Sequence, residues 1–219
     1  LDTIAERMLD YKARLGAESI VLGYGTGREN EAVIYRFANL LGTPNVLTAG
    51  HFCYGPRIAT SIITCGSNPI VDYENDPQCI MVWGNNLVIS NPDCYKGEPF
   101  SVSLNKGAKL IAVDPRLTRI AARADVWLQL RPGTDTALAL GMLNVIVNEN
   151  LYDRDFVENH VYGWEPFVER VNEYPLEKVE DITRVPRDKI KEAARLFATT
   201  QPAAIQWGVA IEQQTTCTD

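Results

Sequence analysis

The sequence is poor in histidine and has no closely spaced cysteine pair. His51 and His160 are its only two histidines, and no Cys-x-x-Cys pair occurs. The five cysteines stand at positions 53, 65, 79, 94 and 217. Zinc sites and disulfide frameworks have characteristic ligand spacings that this pattern lacks, so the sequence indicates neither. A reducing compartment fits the cysteines, but the cellular location is left open.

Basic residues and long apolar runs are also scarce. Lys and Arg number 21 against 28 Asp and Glu, which gives a net charge of −7. This balance argues against a nucleic-acid partner and against a polybasic membrane patch. The longest apolar stretch, residues 137–147, is too short to cross a bilayer, so direct membrane insertion is not expected. Any anionic ligand must therefore be held by local donors.

A chain of 219 residues suits one large or two modest domains with a real core. The sequence opens without a signal peptide, and Leu1 stands where an initiator Met is expected. We therefore expect the chain to begin inside a longer protein.

Residues 49–57 combine a thiol, a histidine and a cation in one short segment. Gly50 precedes Cys53, and Gly55-Pro56 follows it, so we expect a shaped loop around the cysteine. Loops of this kind often carry function. The alternative is that Cys53 is a small buried hydrophobic residue in a turn.

A glycine-rich loop follows the first predicted strand. Residues 19–22 form a short apolar run, residues 23–27 read Gly-Tyr-Gly-Thr-Gly, and a helix is predicted over 28–41. A strand, glycine loop and helix in this order are typical of an α/β unit whose free N–H groups can bind an anion. The glycine spacing is not the dinucleotide fingerprint, so a plain tight turn is the alternative.

The centre of the chain predicts a parallel sheet. Residues 79–83 and 109–113 are continuous apolar runs separated by a helical stretch over 92–105, which is a βαβ pattern. Further strands are predicted at 126–130 and 203–207, and the main further helices at 58–64, 116–124, 136–147, 153–160, 165–171 and 187–200. The expected fold is α/β: a Rossmann-like, mostly parallel sheet with helices on both faces.

Polar residues follow the two central strands, where ligands of such sheets collect. Gly84-Asn85-Asn86 comes after the first strand and Asp114 after the second. Asp114 can accept hydrogen bonds from a ribose diol or cap a helix. The two asparagines can present amide donors and acceptors to a ligand or close a turn.

Further along the chain, a set of three arginines and one aspartate each have two possible roles. Arg116, Arg119 and Arg123 recur at helical spacing, so they either line a phosphate path or solvate an exposed helix face. Asp135 begins the most apolar predicted helix. It either complements the helix dipole or accepts hydrogen bonds from a guanine edge.

Taken together, these segments resemble the large catalytic subunit of the molybdenum or tungsten bis-pterin enzymes, the dimethyl sulfoxide reductase family. The similarity is greatest to the formate dehydrogenase-like branch. It is carried by residues 25–31 and 207–213, and most specifically by residues 113–116, 124–128 and 131–135, which read Val-Asp-Pro-Arg, Ala-Asp-Val-Trp-Leu and Arg-Pro-Gly-Thr-Asp.

The resemblance implies specific roles. Cys53 matches the residue that binds the metal directly, and His51, Tyr54 and Arg57 are predicted with it as catalytic residues. A thiolate suits a metal already held by soft dithiolene sulfurs. Two molybdopterin guanine dinucleotides and molybdenum or tungsten are the implied cofactors. The predicted cofactor-binding residues are Asn30, Gly84, Asn86, Asp114, Arg116, Gly133, Asp135 and Gln213.

The sequence departs from the formate branch at one position. A histidine follows the metal ligand there, whereas Tyr54 does here, so formate oxidation is doubtful. Tyrosine does not readily exchange protons near neutral pH, and His51 is the substitute acid or base.

The resemblance also implies a 4Fe–4S cluster in a segment before Leu1, a small-molecule substrate and an iron–sulfur electron-transfer subunit. Residues 1–50 are expected to be part of one discontinuous cofactor-binding domain, and residues 51–219 most of a second.

The function expected of the full-length protein is oxygen-atom or proton and electron transfer. The 219-residue chain alone is expected to be inactive. A non-redox nucleotide-binding module and a catalytically silent scaffold subunit are the alternatives.

Overall fold

The computed structural model describes residues 1–26, 28–48, 50, 53–90 and 96–214. The chain divides into two compact units, Leu1–Asn68 and Pro69–Asp219. The boundary between residues 50 and 51 that the resemblance implies stays a prediction. Among the described residues, no helix is both long and apolar enough to cross a membrane.

The first unit is a small parallel βαβ arrangement flanked by helices. Its helices are α1 (Asp2–Leu15), α2 (Glu31–Leu41) and α3 (Gly55–Cys65), and its strands are β1 (Leu22–Tyr24) and β2 (Val46–Thr48). Short 3₁₀ turns occupy Ala17–Ser19 and Arg28–Asn30. The two strands pair in parallel, with Leu22 opposite Val46 and Tyr24 opposite Thr48.

Two predictions for this unit need correction. The strand expected over residues 19–22 lies at Leu22–Tyr24, because the chain first forms the 3₁₀ turn. The helix expected from residue 58 begins at Gly55. Pro56 suits the first turn of a helix, because an N–H group at that position has no acceptor within the helix and proline has none to satisfy. A Cβ at Gly55 would collide with the Gly50 carbonyl oxygen, so the glycine permits that close approach.

The second unit is a four-stranded, all-parallel sheet with the order β5-β4-β3-β6. The strands are β3 (Cys79–Trp83), β4 (Lys109–Val113), β5 (Val126–Leu128) and β6 (Ala203–Trp207). Trp83 pairs with Val113 on one side and with Trp207 on the other. Every residue of β3 is buried, as expected for a central strand covered on both faces.

The helices of the second unit cover both faces of this sheet. They are α4 (Leu87–Ser90), α5 (Gly97–Asn105), α6 (Asp135–Asn148), α7 (Arg154–His160), α8 (Trp164–Asn172), α9 (Leu176–Thr183), α10 (Arg187–Thr199) and α11 (Val209–Glu212). Residues of α6, α9 and α10 pack with Met81 and Ile111 on one face. On the other face, residues of α4 and α5 pack with Ile80 and Leu110. The predicted α/β fold is confirmed.

The helix predicted over residues 116–124 is wrong. Only a 3₁₀ turn forms, at Ala121–Arg123. The Asp114 carboxylate accepts a hydrogen bond from the Arg116 N–H at 2.8 Å, and the Thr118 hydroxyl accepts one from the Ala121 N–H at 3.1 Å. These local bonds compete with helix formation, so the three arginines do not share one α-helical face.

The contact of α6 with α9 gives a stability test. A Cβ at Gly141 would lie 2.8 Å from a methyl group of Val179, which is fully buried. Overpacking of this kind costs about 1–3 kcal/mol. We expect Gly141→Ala to lower the free energy of unfolding in chemical denaturation of the full-length protein. Gly141→Ala/Val179→Ala should lose less than the sum of the two single changes, and strict additivity would contradict the contact.

A second stability test concerns the ion pair between Glu149, the residue directly after α6, and Arg195 of α10. Arg195 donates hydrogen bonds of 2.7 and 3.0 Å to the two carboxylate oxygens of Glu149. These bonds lower the pKa of Glu149 below its ordinary value of 4.5, against an opposing effect of burial. A lowered folded-state pKa stabilises the protein above the ordinary pKa, and this contribution is lost as the pH falls.

Glu149→Gln should therefore reduce the melting temperature near pH 7, and its difference from wild type should shrink below pH 4.5. Thermal unfolding across pH measures this difference. Glu192→Gln is the control, because Glu192 lies on α10 and makes no ion pair with a described residue. A Glu149→Gln effect that does not change with pH would contradict the assignment.

Candidate functional site

The carboxyl edge of the second unit's sheet contains a topological switch point. From β3 the chain continues to β4 and β5 on one side, and it later returns to β6 on the other side of β3. Ligands of open parallel sheets bind at such points, outside the carboxyl ends of the strands. Gly84 follows β3 and Gly208 follows β6. A Cβ at Gly208 would collide with the Gly84 carbonyl oxygen, so these two loops cross in direct contact.

Asp135 is fixed at this edge by two hydrogen bonds. It begins α6 and is 7% exposed. The Trp83 indole N–H donates to one carboxylate oxygen at 2.8 Å, and the Gln214 side-chain amide donates to the other at 2.8 Å. A carboxylate oxygen has a second lone pair, so each can still accept another donor. The arrangement holds a charged acceptor in place at the end of the central strand.

Two further acceptors near this edge have no donor among the described residues. They are the Asn86 Oδ1 and Gln214 Oε1 atoms, and both are buried. A buried acceptor without a donor is costly, and a ligand can supply the missing hydrogen bond. Guanine and ribose both offer N–H or O–H groups. The donor and acceptor chemistry of this edge therefore fits a nucleotide.

Asp114 and Arg116 lie in the turn after β4. The Asp114 side chain accepts from the Arg116 N–H at 2.8 Å, and its carbonyl accepts from the Trp127 indole N–H at 2.9 Å. Asp114 is half-buried, whereas the Arg116 side chain is exposed. Gly133, with φ of 83°, occupies the left-handed region that favours glycine, in the turn before α6.

Gln213 was predicted from the sequence as a cofactor-binding residue, whereas its neighbour Gln214 was not. Gln213 is exposed at the end of α11, while Gln214 makes the contact with Asp135. Two adjacent glutamines give no sequence signal that distinguishes them, because the direction of each side chain depends on where α11 ends. The predicted role of Gln213 stays a prediction.

In the first unit, Cys53 lines a cleft of about 280 Å³. The thiol is free and half-buried, in the turn before α3. The other lining residues are Tyr24, Gly25, Thr26, Glu31, Thr48, Gly50 and Tyr54. The Tyr24 hydroxyl donates to Glu31 at 2.7 Å. Burial, followed by this hydrogen bond, raises the pKa of Tyr24.

The predicted neighbours of Cys53 are placed as follows. The Arg57 guanidinium carbon lies 5.0 Å from the centre of the Tyr54 ring, within cation–π range, and Arg57 is buried. Asn30 is exposed at the start of α2. His51 lies outside the described residues. The first unit thus brings Cys53, Tyr54 and Arg57 together, and the second unit brings Gly84, Asn86 and Asp135 to one sheet edge.

The chain is similar to known proteins over nearly its whole length. The chain is 43% identical to acetylene hydratase of Syntrophotalea acetylenica, over 98% of this chain and 29% of that protein. It is 35% identical to formate dehydrogenase H of Escherichia coli (strain K12), over 97% of this chain and 30% of that protein. The solved structure of acetylene hydratase from Pelobacter acetylenicus superposes with a TM-score of 0.79 at 41% identity, over 99% of this chain and 30% of that one.

The chain thus spans about 30% of the length of these relatives. The family described as "Molybdopterin oxidoreductase" matches residues 1–219. The resemblance to the formate dehydrogenase-like branch of the dimethyl sulfoxide reductase family is confirmed. This chain belongs to the molybdopterin oxidoreductase family.

Proposed function

We propose that the carboxyl edge of the second unit binds a guanine dinucleotide arm of a bis-pterin cofactor, and that Cys53 binds its molybdenum or tungsten. The full-length protein then catalyses oxygen-atom transfer, or proton and electron transfer, on a small molecule. The observation that carries the proposal is the fixed Asp135 carboxylate, which shares its sheet edge with the buried acceptors of Asn86 and Gln214.

The nucleotide assignment follows from the donors that guanine offers. A guanine edge has adjacent ring N–H and amino groups, which match a carboxylate that is held in place and can still accept. Asn86 Oδ1 adds a neutral acceptor. In the turn after β4, Asp114 is the candidate partner of a ribose hydroxyl, and the exposed Arg116 side chain is the candidate partner of a phosphate. Gly133 adopts a left-handed backbone conformation in the turn before α6 and places no side chain there.

The metal assignment depends on the thiol of Cys53. A thiolate is a soft ligand, and the glycines at positions 50 and 55 let the backbone fold tightly around the cysteine. When bound, the cofactor supplies the metal centre for the chemistry, and the protein supplies a ligand, orientation and electrostatics. Arg57 holds a positive charge beside Tyr54. That charge stabilises negatively charged groups that lie close to it.

Proton transfer near Cys53 is assigned to His51. A tyrosine, with an ordinary pKa of about 10, does not exchange protons readily near neutral pH, whereas a histidine does. We therefore propose His51 as the acid or base. Tyr54 and Arg57 then act as orienting groups.

Hydration without net redox change is the second candidate function. It is favoured by the 43% identity to acetylene hydratase and by Tyr54, which stands where the formate branch has histidine. Reduction of an electron-accepting dye on addition of substrate distinguishes oxidation from hydration, which transfers no electrons. A 4Fe–4S cluster and an iron–sulfur partner subunit belong to the proposal for the full-length protein.

Replacing the candidate metal ligand tests the enzymatic proposal. We expect Cys53→Ala in the full-length protein to lose most of its molybdenum or tungsten, measured by plasma mass spectrometry, and its activity. Cys65→Ala is the matched control, because Cys65 is an exposed thiol in the same unit. Unchanged metal content in Cys53→Ala would contradict ligation. If the wild-type protein contains guanine nucleotide but no metal, a non-redox nucleotide-binding module is favoured. If it contains neither nucleotide nor metal, a silent scaffold is favoured.

Replacing the charged acceptor tests the nucleotide assignment. Asp135→Asn keeps the shape of the side chain but removes its charge. It also replaces one accepting oxygen by an NH2 group, which can only donate. We expect the guanine nucleotide released by acid from the full-length protein to fall at least about tenfold, the effect of losing a charged hydrogen bond. Asp181→Asn, at an exposed position on α9, should retain it. Full retention in Asp135→Asn would refute the role of this carboxylate.

A further inference from the structure

Two of the arginines expected to share a helix face instead border a separate cavity of the second unit. Arg119 and Arg123 lie at the rim of a space of about 190 Å³. The other lining residues are Val88, Phe100, Ser101, Leu104, Leu110 and Ile120. Leu110 is near the start of β4, whereas Asp114 follows the end of that strand. The cavity is therefore distinct from the carboxyl edge assigned to the nucleotide.

The interior of the cavity is apolar, and its deepest lining residues belong to the protein core. Phe100, Leu110 and Ile120 are each at most 3% exposed. They belong to the core between the sheet and helices α4 and α5. Ser101 lies at the exposed rim, and its hydroxyl donates to the Gly97 carbonyl at 2.9 Å. A concave hydrocarbon surface of this kind favours binding of an aromatic ring or a short aliphatic chain.

The rim carries positive charge that no described residue neutralises. Neither Arg119 nor Arg123 makes an ion pair or side-chain hydrogen bond with a described residue, although the chain has a net charge of −7. Long arginine side chains can cover apolar surface while their charged ends stay in water. That tendency explains the position of the two stems, but it does not fill the cavity between them.

We propose that this cavity is a binding site for a small amphiphilic monoanion, a carboxylate carried on one aromatic ring or a short aliphatic chain. The apolar part occupies the space above Phe100 and Ile120, and the carboxylate binds Arg119 and Arg123. A volume of about 190 Å³ is below the range of about 300–1,000 Å³ typical of drug-sized ligands, so a single ring is the expected size. The site does not depend on the metal cofactor.

The test uses 4-(4-fluorophenyl)butyrate as the probe, observed by fluorine NMR line broadening with the full-length protein. We expect a dissociation constant of about 1 mM or tighter, as is typical of a ligand of this size. The uncharged 4-(4-fluorophenyl)butan-1-ol should bind at least about tenfold more weakly, because it lacks charged hydrogen bonds to the arginines.

Variants locate the binding. Arg119→Gln/Arg123→Gln should weaken probe binding at least about tenfold, since it removes both charges. Ser101→Trp, at an exposed position on the rim, should abolish binding by filling the cavity. Arg184→Gln is the matched control, because Arg184 is exposed and makes no ion pair with a described residue.

The proposal is overturned if the probe does not bind at 10 mM, a concentration about tenfold above the expected dissociation constant. It is also overturned if the alcohol binds as tightly as the carboxylate, or if the arginine and Ser101 variants bind like wild type. Retained binding in Cys53→Ala would show that this site is separate from the metal centre, whereas loss of probe binding in that variant would contradict the proposal. Neither result bears on the metal assignment itself.

Discussion

The hydrogen bond from the Trp83 indole to Asp135 is the interaction on which the candidate site depends. It joins residues that lie 52 positions apart, at the end of the central strand and the start of the most apolar helix. Both side chains are at most 8% exposed. A charge buried to this extent requires donors, and Trp83 and Gln214 provide them. The carboxylate is consequently held in one position before any ligand arrives.

The parallel sheet explains why that position is suitable for a ligand. β3 is buried on both faces, so its only access to solvent is at its ends. The strands β4 and β6 lie on opposite sides of β3, and Gly84 and Gly208 touch at its carboxyl end. Residues of α6, α9 and α10 pack against one face of the sheet behind this edge. The first unit differs in that α1 has no buried residue and α2 has only Ala38 and Leu41.

The sequence predicts the central part of the fold well, because short apolar runs bounded by turn residues favour buried strands. Strands β3, β4 and β6 lie at the predicted residues. The predictions fail where local polar bonds decide the structure. After β4, Asp114 and Thr118 bond to nearby backbone N–H groups, and the arginine-rich stretch forms turns. The helix α9 was missed, since Pro175 precedes it and its apolar residues are few.

The site was predictable to the extent that it follows from topology. Polar residues after β3 and β4, and Asp135 at a helix start, are visible in the sequence. The Trp83 and Gln214 contacts are not, since they depend on how distant elements approach each other. The setting among glycines singled out Cys53, and the family resemblance alone predicted that it binds the metal. Neither its cleft nor the cation–π contact between Arg57 and Tyr54 can be read from spacing.

The most direct test is anomalous X-ray diffraction from crystals of the full-length protein, recorded at the molybdenum and tungsten absorption edges. We expect a peak within bonding distance of the Cys53 sulfur, with guanine density next to Asp135. A thiol enclosed only by protein atoms, with any metal peak far from it, would contradict metal binding by Cys53.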